Sequence, residues 1–193
     1  GNFYIWKYAG LNSDGEWVIY DKNGEYKAGM DATDEDMYVV GNGLPKFTAS
    51  WSNYLKYKNL DLSIYFRGAF GFEIFNIHEF YYGIPGMTSN VMKTAYTKNA
   101  NIKENPLVCD YFIERGDYLK LDMVTIGYTI PLVSKYFDSV RFSLTGKNLF
   151  TLTSFSGVDP STYSTNGLTP GATGSRNYYP TCRQFLAAVQ IAF

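Results

Sequence analysis

The sequence predicts an all-β protein whose long strands form part of a transmembrane antiparallel β-barrel. The first observation comes from residues 60–75, LDLSIYFRGAFGFEIF, in which every even position is apolar or glycine. The odd positions include Asp61, Ser63, Arg67 and Glu73. Because successive side chains of a strand point to opposite faces, this segment has one apolar and one polar face. The second observation is that such segments are joined alternately by short turns and long loops, which is typical of bacterial outer-membrane barrels.

Composition agrees with this fold class and argues against several functions. The chain has 193 residues, a net charge of −1 and 18% charged residues, below the roughly 25% that is usual in globular chains. Aromatic residues also make up 18%, which favours β-structure. Because the chain has no basic excess, we do not expect it to bind nucleic acid. No apolar run is long enough for a transmembrane helix, and we expect no signal peptide in this sequence.

The first 45 residues predict small hairpins. Asp14-Gly15 and Asn23-Gly24 are typical of type I′ turns, and they stand in the related stretches DGEW and NGEY, nine residues apart. We interpret this region as one or two hairpins rather than as an array of repeats. Residues 30–37, MDATDEDM, are strongly acidic and are predicted to be a solvated connector.

Five long segments follow, and each alternates between apolar and polar side chains. They are residues 46–57, 60–75, 117–131, 139–152 and 181–193. The apolar face of the first segment comprises Phe47, Ala49, Trp51, Leu55 and Tyr57, with Asn53 as its one misfit. That of the fourth comprises Val140, Phe142, Leu144, Phe150 and Leu152, and that of the fifth Phe185, Ala187, Val189, Ile191 and Phe193. Each segment reaches the ~9–11 residues that a tilted strand needs to cross a bilayer.

The third segment changes phase part-way along. Leu119, Leu121 and Met123 occupy odd positions, whereas the apolar residues that follow, Val124, Ile126, Tyr128 and Ile130, occupy even positions. A β-bulge adds one residue to a strand and so shifts the alternation by one position. We therefore predict a single bulge near Met123 that brings both apolar groups to the same face.

The connections favour a membrane barrel over a soluble sheet. Lys58-Asn59 joins the first two strands and LVSKYFD joins the third and fourth, whereas the links 76–116 and 153–180 are long. Structureless loops beyond about 12–15 residues are uncommon in compact soluble domains. Aromatic residues near the segment ends predict the girdles of such a barrel: Tyr54, Tyr57, Phe75, Tyr128, Tyr136, Phe137, Phe150, Phe155, Tyr178 and Tyr179. A soluble β-sandwich, whose strands also alternate, is the alternative.

Four stretches of the chain resemble a known family. They are PKFTASWSNYLKYKNLDLSIYFRGAFG, DYFIERGDYLKLDMVTIGYTIP, VRFSLTGKNLFTLTSFSGVDPS and NYYPTCRQFLAAVQIAF. They are similar to the C-terminal portion of SusC/RagA-type TonB-dependent outer-membrane transporters, most specifically in GDYLKLDMVTIGYTIPL and GKNLFTLTSFSGVDPS. The stretch KYAGLNSDGEWVIYDKNG resembles the segment that precedes these strands in the family, so the resemblance covers essentially the whole chain.

The resemblance implies a 22-stranded barrel in the cell outer membrane with a plug domain inside it. Residues 46–193 would supply about the last five strands, in agreement with the fact that five strands cannot close a barrel by themselves. The plug, the TonB-contacting segment and the N-terminal strands would lie outside this chain. With the C-terminus in the periplasm, residues 1–45, which form the hairpin region, and the links 76–116 and 153–180 would lie outside the cell.

The function that the resemblance implies is active import through TonB of glycans, oligosaccharides or peptides. A SusD-like surface lipoprotein would act as the lid. Neither enzyme activity nor a cofactor is expected. Two alternatives stay open, a passive porin and a soluble surface protein that binds carbohydrate through a β-sandwich.

Few residues are candidates for chemistry. The single histidine, His78, stands near Glu73 and Glu79, but one histidine among aromatic residues is better explained as a loop or interface residue. The acidic residues Asp31, Asp34, Glu35 and Asp36 lack the glycine and the spacing of a calcium loop. No nucleophile motif occurs in the sequence. We therefore predict no catalytic site and no metal site.

Four residues are candidates for ligand binding or assembly. Tyr163, Tyr178 and Tyr179 are candidates for stacking on sugar rings, with packing in a girdle or loop as the alternative. Phe193 is a C-terminal aromatic residue on the apolar face, and it is predicted to act in barrel assembly.

The two cysteines, Cys109 and Cys182, lie at the loop ends of strands that are two apart, about 9–10 Å in a sheet. A disulfide between them would need the loops to move, so we leave their pairing open.

Overall fold

The computed structural model describes residues 1–86, 90–132, 136–163, 169–172 and 179–193. The strands are β1 (Asn2–Leu11), β2 (Trp17–Tyr20), β3 (Tyr26–Ala28), β4 (Met37–Asn42), β5 (Phe47–Tyr57), β6 (Leu60–Phe70), β7 (Glu73–Phe75), β8 (Ile113–Arg115), β9 (Tyr118–Pro131), β10 (Ser139–Thr153) and β11 (Gln184–Ala192). The described residues also form helix α1 (Ile77–Tyr82) and 3₁₀ turns at Gly29–Asp31, Asp34–Asp36, Lys93–Tyr96, Asp110–Phe112 and Pro160–Thr162. Among them, no helix is long and apolar enough to cross a membrane.

The strands form three antiparallel sheets. A small sheet has the order β3-β2-β1-β4, a long sheet has the order β11-β10-β9-β6-β5, and β7 pairs with β8. The long sheet contains the five predicted strands, so the all-β prediction is confirmed. The predicted second strand was too long, because β6 ends at Phe70. Gly71 follows with a φ of +75°, which turns the chain out of the sheet, and the remaining alternation belongs to β7.

The predicted bulge in β9 is present, and it lies one residue earlier than expected. Tyr65 faces Met123 and Phe66 faces Leu121 across the β6–β9 pair, so Asp122 is the inserted residue. Leu121 therefore joins Val124 on one face, as predicted. Met123 was expected with them, but it lies on the opposite face, beside Tyr65.

The first two hairpins form at the predicted dipeptides, but with a different turn. Gly15 and Gly24 have φ values of +83° and +84°, but Asp14 and Asn23 before them do not have a positive φ. A type I′ turn needs a positive φ at both central residues, so these turns are not of type I′. In the first hairpin the Asn12 side chain accepts the backbone N–H groups of Asp14 and Glu16, both at 2.9 Å. This side chain holds a turn that is closed by a hydrogen bond from the Gly15 N–H to the Asn12 carbonyl at 3.1 Å and ends in a left-handed glycine.

The first 45 residues share a core with residues 76–116, and we call these two segments together the lobe. The core comprises Trp17, Ile84, Ile102, Cys109 and Phe112. Hydrogen bonds join the segments: the Trp17 N–H donates to Glu104 Oε2 at 2.9 Å, and the Trp17 indole N–H donates to the Asn105 carbonyl at 2.8 Å. The described part of the long link 76–116 is thus a packed structure rather than an open loop.

The acidic connector is less solvated than predicted, because the Asp36 side chain is buried. Its carboxylate accepts hydrogen bonds from Lys27 Nζ at 2.8 Å, from Thr33 Oγ1 at 2.7 Å and from the Thr33 N–H at 2.9 Å. The Lys27 ammonium is the main reason why the pKa of Asp36 lies well below its ordinary value, and Thr33 adds to the effect.

We predict that this connector loosens in acid. Because the folded pKa of Asp36 is lowered, its contribution to stability is complete above the ordinary value of 3.8 and is lost as the pH falls below that value. Hydrogen exchange of the Thr33 amide should be equally protected from neutral pH to about pH 5 after correction for intrinsic rates. Protection should then decrease at lower pH. Asp36→Asn should remove this dependence, and an unchanged acid profile in that variant would contradict the assignment.

Candidate functional site

One face of the long sheet is apolar and uncovered. Residues that face each other across the five strands form apolar rows, for example Leu55, Leu62, Ile126, Leu144 and Ala187. Phe142, Leu144 and Val189 are 48%, 56% and 58% exposed. A β-sandwich would seal these side chains against a second sheet, but no second sheet lies over this face in the described ranges. The face has the properties that contact with lipid requires.

Aromatic side chains mark the short-turn end of this face. Tyr57 and Tyr128 are exposed there, and the Phe193 ring lies 5.4 Å from the ring of Phe137. Two other residues of the predicted girdle lie elsewhere, since Phe155 is buried in a core and Tyr54 faces Ser63 on the polar side. Phe75 likewise packs against the core of the lobe.

The opposite face of the long sheet carries charges that pair with one another. Arg67 Nε donates to Asp122 Oδ2 at 2.9 Å, and Arg141 Nη2 donates to Asp61 Oδ2 at 2.5 Å. A third pair joins Lys120 to Asp159 in the connection after β10. Charged groups that face one another across strands satisfy their hydrogen bonds and keep this surface polar, as the wall of an aqueous pore would be.

The absence of a side chain at Gly127 allows the Arg141–Asp61 ion pair to form across strand β9. Arg141 lies on β10 and Asp61 on β6, so the arginine passes over β9 at Gly127. A Cβ atom at Gly127 would lie 2.2 Å from Arg141 Nη2 and 2.6 Å from Asp61 Oδ1. Arg141 Nη1 also donates to Gln190 Oε1 at 3.0 Å. The guanidinium therefore ties together strands β6, β10 and β11 across β9.

We predict that Gly127→Ala breaks this ion pair and lowers the stability of the sheet. The added methyl group takes the space of the guanidinium and leaves the Asp61 carboxylate without its partner. The measurement is a double-mutant cycle with Asp61→Asn, read as the denaturant midpoint of the protein refolded in vesicles. Because both changes act on the same pair, the second should add little to the first. Fully additive effects would contradict this prediction.

The structure places the three candidate tyrosines in different surroundings. Tyr163 is 4% exposed, and its ring lies edge-on to that of Phe155 at 5.5 Å. Tyr179 is 89% exposed. Tyr178 lies outside the described residues. The structure thus does not bring these rings together into one platform within the described part of the chain, and their role in ligand binding stays a prediction.

The acidic residues near His78 have separate partners. Glu79 is buried and accepts hydrogen bonds from Thr94 Oγ1 at 3.0 Å and Asn99 Nδ2 at 2.7 Å. Glu73 instead accepts the Asn42 N–H at 2.8 Å. Across the described ranges, no group of three or more His, Cys, Asp or Glu side chains is placed to hold a metal ion.

Both cysteines are free. Cys109 is buried in the core of the lobe and Cys182 is exposed. Burial raises the pKa of the Cys109 thiol to about 12, so it carries almost no thiolate at neutral pH. The disulfide that the sequence left open does not form.

Sequence reasoning missed the site around Lys120, which is 1% exposed. Its ammonium bonds to Asp159 and Ser161 in the connection after β10 and to Thr181 before β11. The alternation placed Lys120 on the polar face. It could not identify partners that are about 40 to 60 positions away in the sequence.

Known proteins resemble this chain in sequence and in fold. No protein-family model matches the chain. The chain is 28% identical over 184 residues to TonB-dependent receptor P3 of Formosa agariphila, a match that covers 83% of the chain and 18% of the receptor. It is 29% identical over 197 residues to TonB-dependent receptor P26 of the same organism, covering 90% of the chain and 19% of the receptor. The chain thus spans about a fifth of the length of these curated relatives.

Solved structures share the fold. The structure of the RagAB peptide transporter matches with a TM-score of 0.77 and 20% identity, over 100% of this chain and 23% of that chain. The RagAB peptide importer in the open-open state matches with a TM-score of 0.74 and 20% identity, over 100% of this chain and 22% of that chain. The chain therefore shares its fold with part of each of these two proteins. The predicted resemblance to SusC/RagA-type TonB-dependent transporters is confirmed.

Proposed function

We propose that the chain is the C-terminal barrel segment of an outer-membrane importer that depends on TonB. The observation that carries this proposal is the long sheet, which exposes a continuous apolar face and pairs its charges on the other face. The names of the curated relatives support it, since they are TonB-dependent receptors rather than enzymes. We expect no enzyme activity from this chain.

The open edges of the long sheet support a larger barrel. β5 and β11 are its two outer strands, and neither has a further strand beside it within the described ranges. In a bilayer their free backbone groups must be paired by other strands, because only closed barrels satisfy every such group. We propose that residues 46–193 supply about the last five of 22 strands, and that the remaining strands and the plug come from the rest of the protein.

The connections set the proposed orientation. The short turns after β5 and β9, together with the C-terminal Phe193, would face the periplasm. The lobe, which contains residues 1–45, and the long connection after β10 would face the outside of the cell. Phe193 would then lie at the inner interface, where it supports assembly of the barrel.

Substrate and partners follow from the same proposal. We propose that a nutrient reaches the outer surface, is enclosed by a SusD-like lipoprotein lid and passes along the polar face. Energy would come from TonB through a segment outside this sequence. Peptides are supported by the names of the solved importers that share the fold. Glycans and oligosaccharides remain the alternative, with Tyr163, Tyr178 and Tyr179 as the candidates for contact.

The experiment is an uptake assay in cells that produce the whole protein. Labelled peptide and oligosaccharide mixtures should be imported by the parent strain, and import of one class should stop when either this gene or tonB is deleted. Import that persists without TonB would indicate a passive porin. Recovery of the protein from the soluble fraction rather than from the outer membrane would contradict the proposal as a whole.

A further inference from the structure

The connection after β10 folds back over the polar face of the long sheet. We call residues 154–163 the strap. Its rings Phe155 and Tyr163 form one buried cluster with residues of the sheet and of the chain that follows β6: Ala69, Phe72, Ile74 and Tyr118. Ala69 and Tyr118 face each other across β6 and β9, on the face that also carries Arg67 and Lys120. The strap therefore covers the polar face at the end where Ala69 and Tyr118 lie, and it does not cover the apolar face.

Lys120 fastens the strap to β9. Its Nζ lies 3.2 Å from Asp159 Oδ2, 3.0 Å from Ser161 Oγ and 2.6 Å from Thr181 Oγ1. The Asp159 carboxylate in turn accepts hydrogen bonds from Ser161 Oγ and Thr181 Oγ1, both at 2.7 Å. A buried ammonium is tolerated only when its charge is compensated. Because Asp159 is the anion that bonds to Lys120, strap and strand hold each other through this pair.

A second anchor holds the beginning of the strap. Ser156 donates to the Glu114 carboxylate through its N–H and its hydroxyl, both at 2.7 Å. Asn76 Nδ2 donates to Glu114 Oε1 at 2.9 Å, which ties this anchor to the start of α1. The first part of the strap is thus joined to the lobe, and the part around Asp159 is joined to the barrel strand. Lys120 therefore holds the second part of the strap and not the first.

We propose that the strap is a built-in constriction of the pore and that the Lys120–Asp159 pair is the latch that keeps it closed. This inference rests on the proposed function, since the polar face is the wall of a pore only in a barrel. The strap lies at the long-loop end of the strands, so it narrows the outer mouth. When the latch opens, residues 157–163 move away from the Ser156 anchor and withdraw the Tyr163 ring from the cluster, which exposes Ala69 and Tyr118 on that side.

The test measures access to the surface under the strap in the purified full-length protein in detergent micelles. The reporter is Ala69→Cys in a Cys182→Ser background, labelled with a water-soluble polyethylene glycol maleimide. Labelling is read on the folded band of a semi-native gel, so unfolded protein does not contribute. With the latch intact, labelling should be slow. In Asp159→Asn and in Lys120→Met, labelling should be at least about tenfold faster, because the ion pair that keeps the strap over position 69 is absent.

Two controls separate the possible failures. Asp61→Asn breaks another ion pair on the same face, away from the strap. In this variant the cysteine at position 69 should still be labelled slowly. Equal labelling rates with and without the latch, or an equal increase in Asp61→Asn, would overturn the proposal. Leu144→Cys on the apolar face should be protected by detergent. Rapid labelling at that position would instead count against the bilayer-facing surface and thus against the proposed function itself.

Discussion

Replacing Ile64 by arginine is expected to lower the free energy of unfolding in a bilayer by about 2–4 kcal/mol. Ile64 lies in the middle of β6 and faces Asn53 and Val124 on the apolar side of the long sheet. At that depth an arginine side chain must either carry its charge into hydrocarbon or bend toward the interface, and both cost free energy. The measurement is reversible denaturant unfolding of the full-length protein in phospholipid vesicles.

The matched control for this prediction is the preceding residue. Ser63 faces Tyr54 and Thr125 on the polar side, so Ser63→Arg places the same charge one position away on the opposite face of the sheet. We expect this variant to unfold at nearly the parental denaturant concentration. Similar losses in the two variants would show that the two faces of β6 do not meet different solvents. The interpretation of the long sheet as a bilayer-spanning wall would then be wrong.

Trp17→Ala is expected to cost the lobe about 3–5 kcal/mol, the usual range for removal of a buried large aromatic side chain. The Trp17 ring is fully buried, and its centroid lies 5.7 Å from that of Tyr8, 5.5 Å from that of Tyr111 and 5.9 Å from that of Phe112. The substitution also leaves the Asn105 carbonyl without the indole N–H. Because these partners come from both segments of the lobe, the loss should separate them.

Hydrogen exchange measures this effect within the intact protein. In Trp17→Ala the amides of β2 should exchange about 100-fold faster or more, since each 1.4 kcal/mol corresponds to a factor of ten. Amides in the middle of β9 should keep their parental rates, because the long sheet has its own contacts. Tyr26→Ala on the neighbouring strand β3 is the control, since Tyr26 is 74% exposed. Equal exchange in both variants would rule out Trp17 as the centre of the lobe.

The long sheet could be predicted from the sequence because its signal is local. Each strand has one apolar and one polar face, so every second residue lies in the same environment. This alternation can be recognised in the sequence of a single strand without knowledge of its neighbours. Even the bulge in β9 can be recognised in the sequence, because the apolar positions change from odd to even between Leu121 and Val124, which share a face. The exact bounds were less predictable. The alternation runs on beyond Phe70, and only the backbone at Gly71 shows where the sheet ends.

The lobe and the strap could not be predicted in the same way, because their stability depends on partners that are distant in the sequence. Trp17 bonds to Glu104 and Asn105, and Lys120 bonds to Asp159. No periodicity connects such positions. The prediction of the turn type was wrong for a more local reason. The dipeptide rule considers the two central residues of a turn, whereas here the side chain of Asn12, the first residue of the turn, holds the geometry.

The shared core of the lobe has a mechanical consequence for the hairpin formed by β5 and β6. The chain leaves the lobe just before β5 and returns to it just after β6, so both of these strand ends are attached to the lobe, which lies outside the cell in the proposed orientation. In that orientation, a force applied from the periplasmic side could not extract the hairpin from the proposed barrel unless the lobe unfolded first. The lobe would thus resist extraction of the β5–β6 hairpin. The packing around Trp17 would then bear a force that is applied from inside the cell.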